Sequence, residues 1–296
     1  MISGQPLVSI VIPFYNSRPT LTKALASLLC QTYPHWEGIL IDDGSSDGSG
    51  DLVRALGDPR FRVIRLDQNQ GRGAARQRGN EEARGDLVAM LDADDWWYST
   101  KLEKQVRFLK EHPEVELVSA GIIIADEQDE CIGFRVCQPI EGEVLKNLVN
   151  PPIAWAPVFL RVQVAKRYSF NPHYRASEDT DYLQRICLKE TFANLPEPLY
   201  VYKEYQNYNW KEVSLCMRYR IHALSLFWPQ FPYQATREIA KILAKFAIYT
   251  LAFVAGQQRR MVTRRSAKPT SEIIATYLKE RAAVQAMAEK IAPRNC

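Results

Sequence analysis

The sequence predicts an α/β fold in which a mostly parallel sheet is flanked by helices, with a helical C-terminal extension. Over roughly the first 125 residues, short apolar runs rich in β-branched residues alternate with segments of helical periodicity. This alternation is typical of a parallel sheet with helices on both faces. From about residue 205 the chain becomes helical, aromatic and basic instead.

The N-terminal elements follow one another in a regular order. The predicted strands cover residues 8–12, 36–41, 61–66 and 86–91. The predicted helices cover residues 21–29, 72–84 and 102–109, and Gly85 and Pro113 are placed to end the last two. Because ligands bind at the carboxyl ends of strands in such sheets, the residues that follow each strand are candidates for a site.

The middle of the chain has fewer clear signals. Residues 116–125 and 131–136 are predicted to pair as strands, and 154–161 are predicted to form another strand. A helix is predicted for 178–189 and a short strand for 199–203. We therefore expect one domain over residues 1–204 and a separate helical, basic region over 205–296.

Composition excludes several classes of protein. Of 296 residues, 46% are hydrophobic and 24% are charged, which excludes a disordered or collagen-like chain. The net charge of +4 is too small to predict a nucleic-acid partner. The six cysteines show no CxxC pair, so we expect no zinc site and no disulfide scaffold. Without a signal peptide or an apolar stretch of spanning length, the expected location is the cytoplasm.

Three acidic clusters are the candidates for chemistry: Asp42-Asp43, Asp92-Ala93-Asp94-Asp95 and Glu178-Asp179. The first two follow strands that are expected to be neighbours, which would gather their carboxylates in one crevice. Close carboxylates repel by about 4 kcal/mol per pair at an effective dielectric constant of about 20, and a bound cation would offset this. Ligand sets of oxygen atoms alone favour Mn²⁺ or Mg²⁺.

Each cluster also has an interpretation without a ligand. Asp95 could cap a helix covering residues 96–109. Glu178 and Asp179 could favour the dipole of a helix that Ser177 caps, and Asp42-Asp43 could form a turn before Gly44. The local patterns leave both interpretations open.

Six motifs taken together carry a family resemblance over roughly residues 7–203. They are VSIVIPFYN at 8–16, IDDGSSD at 41–47, NQG at 69–71 followed by Ala75-Arg76 and Gly79, LDADD at 91–95, SEDTD at 177–181 and PEPLY at 196–200. In order and spacing they resemble family 2 glycosyltransferases. The resemblance implies a GT-A fold with a nucleotide-binding half at about 1–125 and an acceptor half at about 126–204.

The resemblance also implies a reaction. It implies metal-dependent, inverting transfer of a sugar from a nucleoside-diphosphate sugar, with a UDP-sugar favoured, to a hydroxyl of a glycan or lipid-linked acceptor in polysaccharide or cell-surface glycan biosynthesis. Departures at Gln77, Lys203 and Thr180 leave the donor and the acceptor open. The alternatives are a polyprenyl-phosphate glycosyltransferase, a nucleotidyltransferase and a nucleotide-sugar-binding module without catalysis.

The resemblance assigns roles to individual residues. Asp179 would be the catalytic base, with Glu178 beside it on the acceptor side. Asp92 and Asp94 would hold Mn²⁺ or Mg²⁺, and Asp95 is the third candidate ligand. The donor-binding candidates are Pro13, Phe14, Tyr15, Asp43, Asn69, Arg76 and Asp92, with Arg76 expected near the donor phosphates.

The C-terminal region has two interpretations. Residues 239–254 are rich in apolar residues and carry Lys241 and Lys245, so they form either a helix packed on the domain or in a homodimer, or a helix on the membrane surface. In the second case residues 239–268 would contact the cytoplasmic face, since the run at 257–268 carries five basic residues and no acid. The uncharged stretch at 246–256 is too short to span a bilayer.

Overall fold

The computed structural model describes residues 4–136, 138–204, 210–255 and 266–292. The strands are β1 (Val8–Phe14), β2 (Trp36–Asp42), β3 (Phe61–Arg65), β4 (Leu87–Met90), β5 (Trp96–Trp97), β6 (Leu117–Ala125), β7 (Cys131–Arg135), β8 (Ile140–Glu143), β9 (Phe159–Arg161) and β10 (Phe192–Lys203). The helices are α1 (Arg18–Leu29), α2 (Ser49–Ala55), α3 (Arg72–Glu82), α4 (Lys101–Glu111), α5 (Val162–Arg167), α6 (Glu178–Cys187), α7 (Trp210–Ser225), α8 (Pro232–Val254) and α9 (Ser271–Ile291).

All ten strands belong to one mixed sheet, with the main order β3-β2-β1-β4-β9-β6-β10-β5. The first four strands in this order are parallel, and so are β6 and β10. β1 is buried along its whole length, as expected of a β-branched strand covered on both faces. The register places Phe14 opposite Asp42, so β1 and β2 end at the same edge of the sheet. The predicted α/β architecture is confirmed.

Most predicted elements are confirmed to within a few residues, and two differences have physical causes. Trp96 and Trp97 form a strand paired with β10 rather than the start of a helix, because their buried side chains and backbone complete the sheet there. The helix starts at Lys101, so the interpretation of Asp95 as its cap was wrong. β10 begins before Pro196 and Pro198, and its register with β6 shifts where these residues cannot donate hydrogen bonds.

A buried lysine lies at the start of α4. The Lys101 Nζ atom donates to Gln105 Oε1 at 2.7 Å and lies 4.0 Å from the centroid of the Trp97 ring. The amide of Gln105 in turn donates to the Pro157 carbonyl oxygen at 2.9 Å. Burial holds the pKa of Lys101 well below its usual value. We therefore expect this side chain to make the stability of the folded chain depend on pH.

The C-terminal region is helical where the structure describes it, as predicted. α8 packs on α7, and α7 contacts α6. α9 returns to the sheet domain and packs on α1, with Tyr277 and Val284 fully buried in a cluster that includes Trp96 and Tyr98. The division at residue 204 stays a prediction. Within the described ranges, no helix combines the length and apolarity needed to cross a membrane.

Candidate active site

The parallel strands β1, β2 and β4 end at a cleft of about 720 Å³. This is the expected place for a ligand, because the carboxyl ends of parallel strands meet at one edge. Seven of the sequence-predicted residues line it: Pro13, Phe14, Tyr15, Asp43, Asn69, Asp92 and Asp94. Segments far apart in sequence are thus brought to one hollow.

Asp43 organises one end of this cleft. Its Oδ1 atom accepts a hydrogen bond from the Gln70 backbone N–H at 2.7 Å, and its Oδ2 atom accepts one from Gly71 at 2.8 Å. Each carboxylate oxygen keeps capacity for a second donor. Asp42 has a different task, since its Oδ1 atom accepts from the Ser45 backbone N–H and shapes the turn. The turn-forming interpretation therefore fits Asp42, whereas Asp43 faces the cleft.

Asp95 differs from the two acids before it. Its carboxylate is buried and accepts hydrogen bonds from the Tyr200 hydroxyl at 2.7 Å and the Lys203 backbone N–H at 2.8 Å. Burial, together with the charges of Asp94 and Asp92, raises the pKa of Asp95 well above its usual range. Asp95 therefore attaches the loop that follows β4 to the strand β10.

The donor set at the cleft fits a hard cation only in part. Burial and the neighbouring Asp92 charge raise the pKa of Asp94, so a cation there would stabilise the charged form. Across the described residues, however, no three ligand-type side chains are grouped to hold a metal ion. Mg²⁺ uses one or two carboxylates together with substrate phosphates and water. Asp92 and Asp94 fit a site that a bound diphosphate would complete.

Arg76 lies beneath the cleft and joins two of the acidic clusters. It is 1% exposed, and its Nη2 atom lies 2.7 Å from Asp92 Oδ1 while its Nη1 atom lies 2.7 Å from Glu178 Oε1. Burial opposes its charge, but the carboxylates of Asp92, Glu178 and Asp179 outweigh that effect and raise its pKa. We expected this guanidinium near donor phosphates; the structure pairs both of its amino groups with carboxylates.

The third acidic cluster starts α6. Glu178 is buried, and its Oε2 atom has no hydrogen-bond partner among the described residues. Asp179 is partly exposed, and its Oδ1 atom accepts from the Thr180 backbone N–H at 2.6 Å. Ser177 occupies the N-cap position of α6, as the alternative interpretation expected, but it makes no side-chain capping bond because its hydroxyl donates to the Cys216 carbonyl oxygen on α7. Asp179 is not among the residues that line the cleft; its neighbour Glu178 is joined to Asp92 through Arg76.

Several residues of the cleft were not predicted as site residues. Arg72 and Arg175 bring cationic groups to its edge, and Tyr202 reaches it from β10. Arg72 Nε lies 3.4 Å from Glu178 Oε1, and an Arg175 amino group donates to the Gln70 carbonyl oxygen. Arg72 could have been predicted because it lies in the first turn of the predicted helix α3, next to the cleft. Tyr202 could have been predicted from the alternation of side chains along β10. No local pattern marks Arg175.

The sequence matches known proteins over most of the sheet domain. Residues 9–130 match the model of the family described as glycosyl transferase family 2. The chain is 32% identical over 214 residues to the putative glycosyltransferase EpsE of Bacillus subtilis, covering 69% of this chain and 75% of EpsE. It is 42% identical over 113 residues to the putative teichuronic acid biosynthesis glycosyltransferase TuaG of the same organism. That match covers 38% of this chain and 45% of TuaG, so it spans about half the length of that relative.

Solved structures share the fold at lower identity. TarS 1-349 of S. aureus in complex with UDP-GlcNAc aligns with a TM-score of 0.61 and 17% identity, over 96% of this chain and 82% of that one. The mannosyltransferase PcManGT of Pyrobaculum calidifontis in complex with GDP-Man and Mn²⁺ aligns with a TM-score of 0.56 and 17% identity, over 99% and 89%.

Proposed function

Because the chain belongs to glycosyltransferase family 2, we propose that it transfers a sugar from a nucleoside-diphosphate sugar to a hydroxyl of a glycan or lipid-linked acceptor. One observation carries the proposal. A cleft of about 720 Å³ at the ends of parallel strands collects Asp43, Asp92 and Asp94, and a buried arginine joins Asp92 to the helix that bears Asp179. A binding module without catalysis has no use for that last carboxylate.

The nucleoside would lie at the end of the cleft that Asp43 organises. Pro13, Phe14 and Tyr15 wall this end, and Tyr15 is half exposed, so its ring is available to a base. The free lone pairs of Asp43 would accept hydrogen bonds from the base or the ribose. Asn69 also lines the cleft.

The diphosphate would lie between Asp92, Asp94 and the arginine edge formed by Arg72 and Arg175. Asp92 and Asp94 would hold Mn²⁺ or Mg²⁺ there, with Asp95 fixing their loop from below. When bound, the ion supplies Lewis-acid neutralisation of the charge on the departing nucleoside diphosphate. Arg72 and Arg175 add positive charge at the same place.

Asp179 is the proposed general base. A carboxylate that takes the acceptor proton contributes roughly 10²–10⁴-fold to the rate. A single base on the side of the sugar opposite the leaving group leads to one displacement, and therefore to inversion. Glu178 holds the N-terminal turn of α6 to Arg76, which fixes the position of Asp179 relative to Asp92. The sugar of the donor would occupy the space between Asp92 and Asp179.

A thermal-shift screen tests the donor and the metal together. UDP-sugars are tested in the first arm and GDP-mannose in the second, each with and without Mn²⁺. A bound donor raises the melting temperature, because binding stabilises the folded state by mass action. Asp94→Ala should remove the Mn²⁺-dependent part of the shift, whereas Asp67→Ala, an exposed residue away from the cleft lining, should retain it. No shift with any nucleotide sugar would count against the proposal.

The products separate the proposal from its alternatives. A glycosyltransferase releases a nucleoside diphosphate from the donor, whereas a nucleotidyltransferase consumes a triphosphate and releases pyrophosphate. A polyprenyl-phosphate glycosyltransferase attacks with a phosphate, which is already ionised and has less need of a base. Full activity of an Asp179→Asn variant would favour the polyprenyl-phosphate glycosyltransferase. Binding of the donor without any turnover would favour a non-catalytic module.

A further inference from the structure

The helix α8 has two apolar sides, and among the residues that the structure describes only one of them is packed. On the packed side, the Phe246 ring lies 4.9 Å and the Phe253 ring 5.7 Å from the Trp210 ring of α7, measured between centroids. The opposite side exposes apolar residues at spacings of three and four positions, which places them on one face. We call this surface the α8 face; it consists of Leu243, Ala247, Ile248, Leu251 and Val254.

The exposure of this face is large for apolar side chains. Leu251 is 70% exposed and Val254 is 82% exposed, and Leu243 and Ile248 are also exposed. A contiguous apolar surface of this kind usually marks an interaction site. The face is therefore a candidate interaction site.

Charge along α8 indicates which occupant. The helix carries three cations, Arg237, Lys241 and Lys245, and one acid, Glu238. Glu238 is largely buried and accepts hydrogen bonds from both Arg237 and Lys241. Lys241 and Lys245 are one turn apart, and the helical period places them along one edge of the α8 face, next to Ile248. The exposed part of the helix is thus apolar with a cationic edge.

We propose that the α8 face docks on an anionic phospholipid surface, with the helix lying in the plane of the interface. Helices with an apolar face and a lysine edge bind in this way, since the aliphatic stems cover apolar surface while the ammonium groups reach the head groups. A second copy of the chain fits less well. An antiparallel symmetric contact between two α8 faces would place the two cationic edges on the same side, and the helix has no exposed acid to pair with them.

Docking in this orientation has a consequence for the cleft. α8 packs on α7, and the Cys216 carbonyl oxygen of α7 accepts the Ser177 hydroxyl at 3.2 Å, immediately before Glu178. The α8 face is therefore one helix layer away from the side where the acceptor would enter. This last point rests on the proposed function, whereas the docking itself does not.

Vesicle flotation tests the docking with the full chain. Two vesicle compositions are used: phosphatidylcholine alone, and equal parts of phosphatidylcholine and phosphatidylglycerol. The chain should float with the anionic vesicles and much less with the neutral ones. Leu251→Glu should abolish flotation, and Lys245→Gln should weaken it by about fivefold, as expected for one charge near the surface. Leu278→Glu is the matched control, because Leu278 is an exposed leucine on α9.

Three results would overturn the docking. The first is that the wild type fails to float with either composition. The second is that Leu278→Glu reduces flotation as strongly as Leu251→Glu. The third is a dimer in sedimentation analysis that Leu251→Glu dissociates, without vesicle binding, which would assign the face to a second copy. Circular dichroism and the donor thermal shift show that each variant is folded. Because the donor thermal shift is measured without vesicles, its result tests the proposed function separately from the docking.

Discussion

Asp92 and Glu178 lie 86 positions apart in sequence and share one counter-ion, the buried guanidinium of Arg76, at 2.7 Å each. The first carboxylate belongs to the proposed metal and donor side of the cleft, and the second precedes the proposed base. A planar guanidinium with several donors suits such a bridge because it fixes both carboxylates in direction as well as distance. The two halves of the site therefore depend on one side chain.

Replacing Arg76 with Met should destabilise the chain strongly. Asp92 would lose its ion pair and Glu178 would keep only the longer contact with the exposed Arg72 at 3.4 Å. Removing one partner of a buried ion pair costs about 3–5 kcal/mol. Chemical denaturation measures this change in the free energy of unfolding. Arg78→Met is the matched control on the same helix, since Arg78 is exposed and pairs with Glu82, and it should change stability by no more than about 0.5 kcal/mol.

A double variant tests whether the cost of Arg76→Met arises from the unpaired charge. Arg76→Met combined with Glu178→Gln should be less destabilised than the sum of the single variants, because one of the stranded charges is gone. Simple additivity would contradict the bridge.

Replacing Asp179 with Asn should remove catalysis and spare donor binding. The amide cannot accept the acceptor proton, so kcat should fall by roughly 10²–10⁴-fold. The donor thermal shift should be unchanged, because this side chain is on the acceptor side of the proposed site. Measured turnover of the donor checks the first expectation and the thermal shift checks the second. A variant with wild-type kcat would show that this carboxylate is not the base.

Replacing Asp43 with Asn should weaken donor binding. The amide has one acceptor oxygen where the carboxylate has two, so it offers fewer lone pairs to the base or the ribose. It also satisfies only one of the Gln70 and Gly71 backbone N–H groups, which costs about 1–3 kcal/mol. Calorimetric titration of the preferred nucleotide sugar should show an increase in Kd. Asp67→Asn is the control, as an exposed acid of the loop before α3 that does not line the cleft. An equal effect of both variants would show that the change acts through the loop and not through Asp43.

Lys101 should make stability rise with pH. Burial lowers the pKa of Lys101 in the folded state, so between that value and the ordinary lysine value of 10.5 the unfolded chain binds more protons. Over this window the free energy of unfolding of the wild type should increase relative to Lys101→Met. Urea denaturation at neutral pH and near pH 10.5 measures the difference. Lys110→Met, at an exposed position of the same helix, should show no such change.

The sequence was sufficient to predict the sheet and the place of the cleft. The strands at the start of the chain are β-branched and buried on both faces, so their pattern is local, and the acids that follow them lie at the same sheet edge by topology alone. Asp43 and Asp94 were found in this way. The role of Arg76 as a bridge between two carboxylates was not predicted, because its partners are set by tertiary packing and one of them is 102 positions away.

The other differences between the predicted and the observed structure also arise from tertiary packing. Trp96 and Trp97 carry no signal that distinguishes an edge strand from the start of a helix, and the choice is made by pairing with Tyr200 and Val201 of β10. Asp95 could be assigned only after Tyr200 and Lys203 were known to reach it. The helix α9 is only weakly amphipathic in sequence, so nothing in it indicated that it packs on α1.

The return of α9 to the first domain has a consequence for synthesis. While residues 271–291 are still inside the ribosome, the indole of Trp96 and the ring of Tyr98 lack the cover that Tyr277 and Val284 later give them. The nascent chain therefore presents an incomplete aromatic surface immediately beside the acidic loop until translation has passed this helix. Chaperones that recognise exposed apolar side chains would bind the nascent chain at that stage, and α9 would displace them once it packs on this surface.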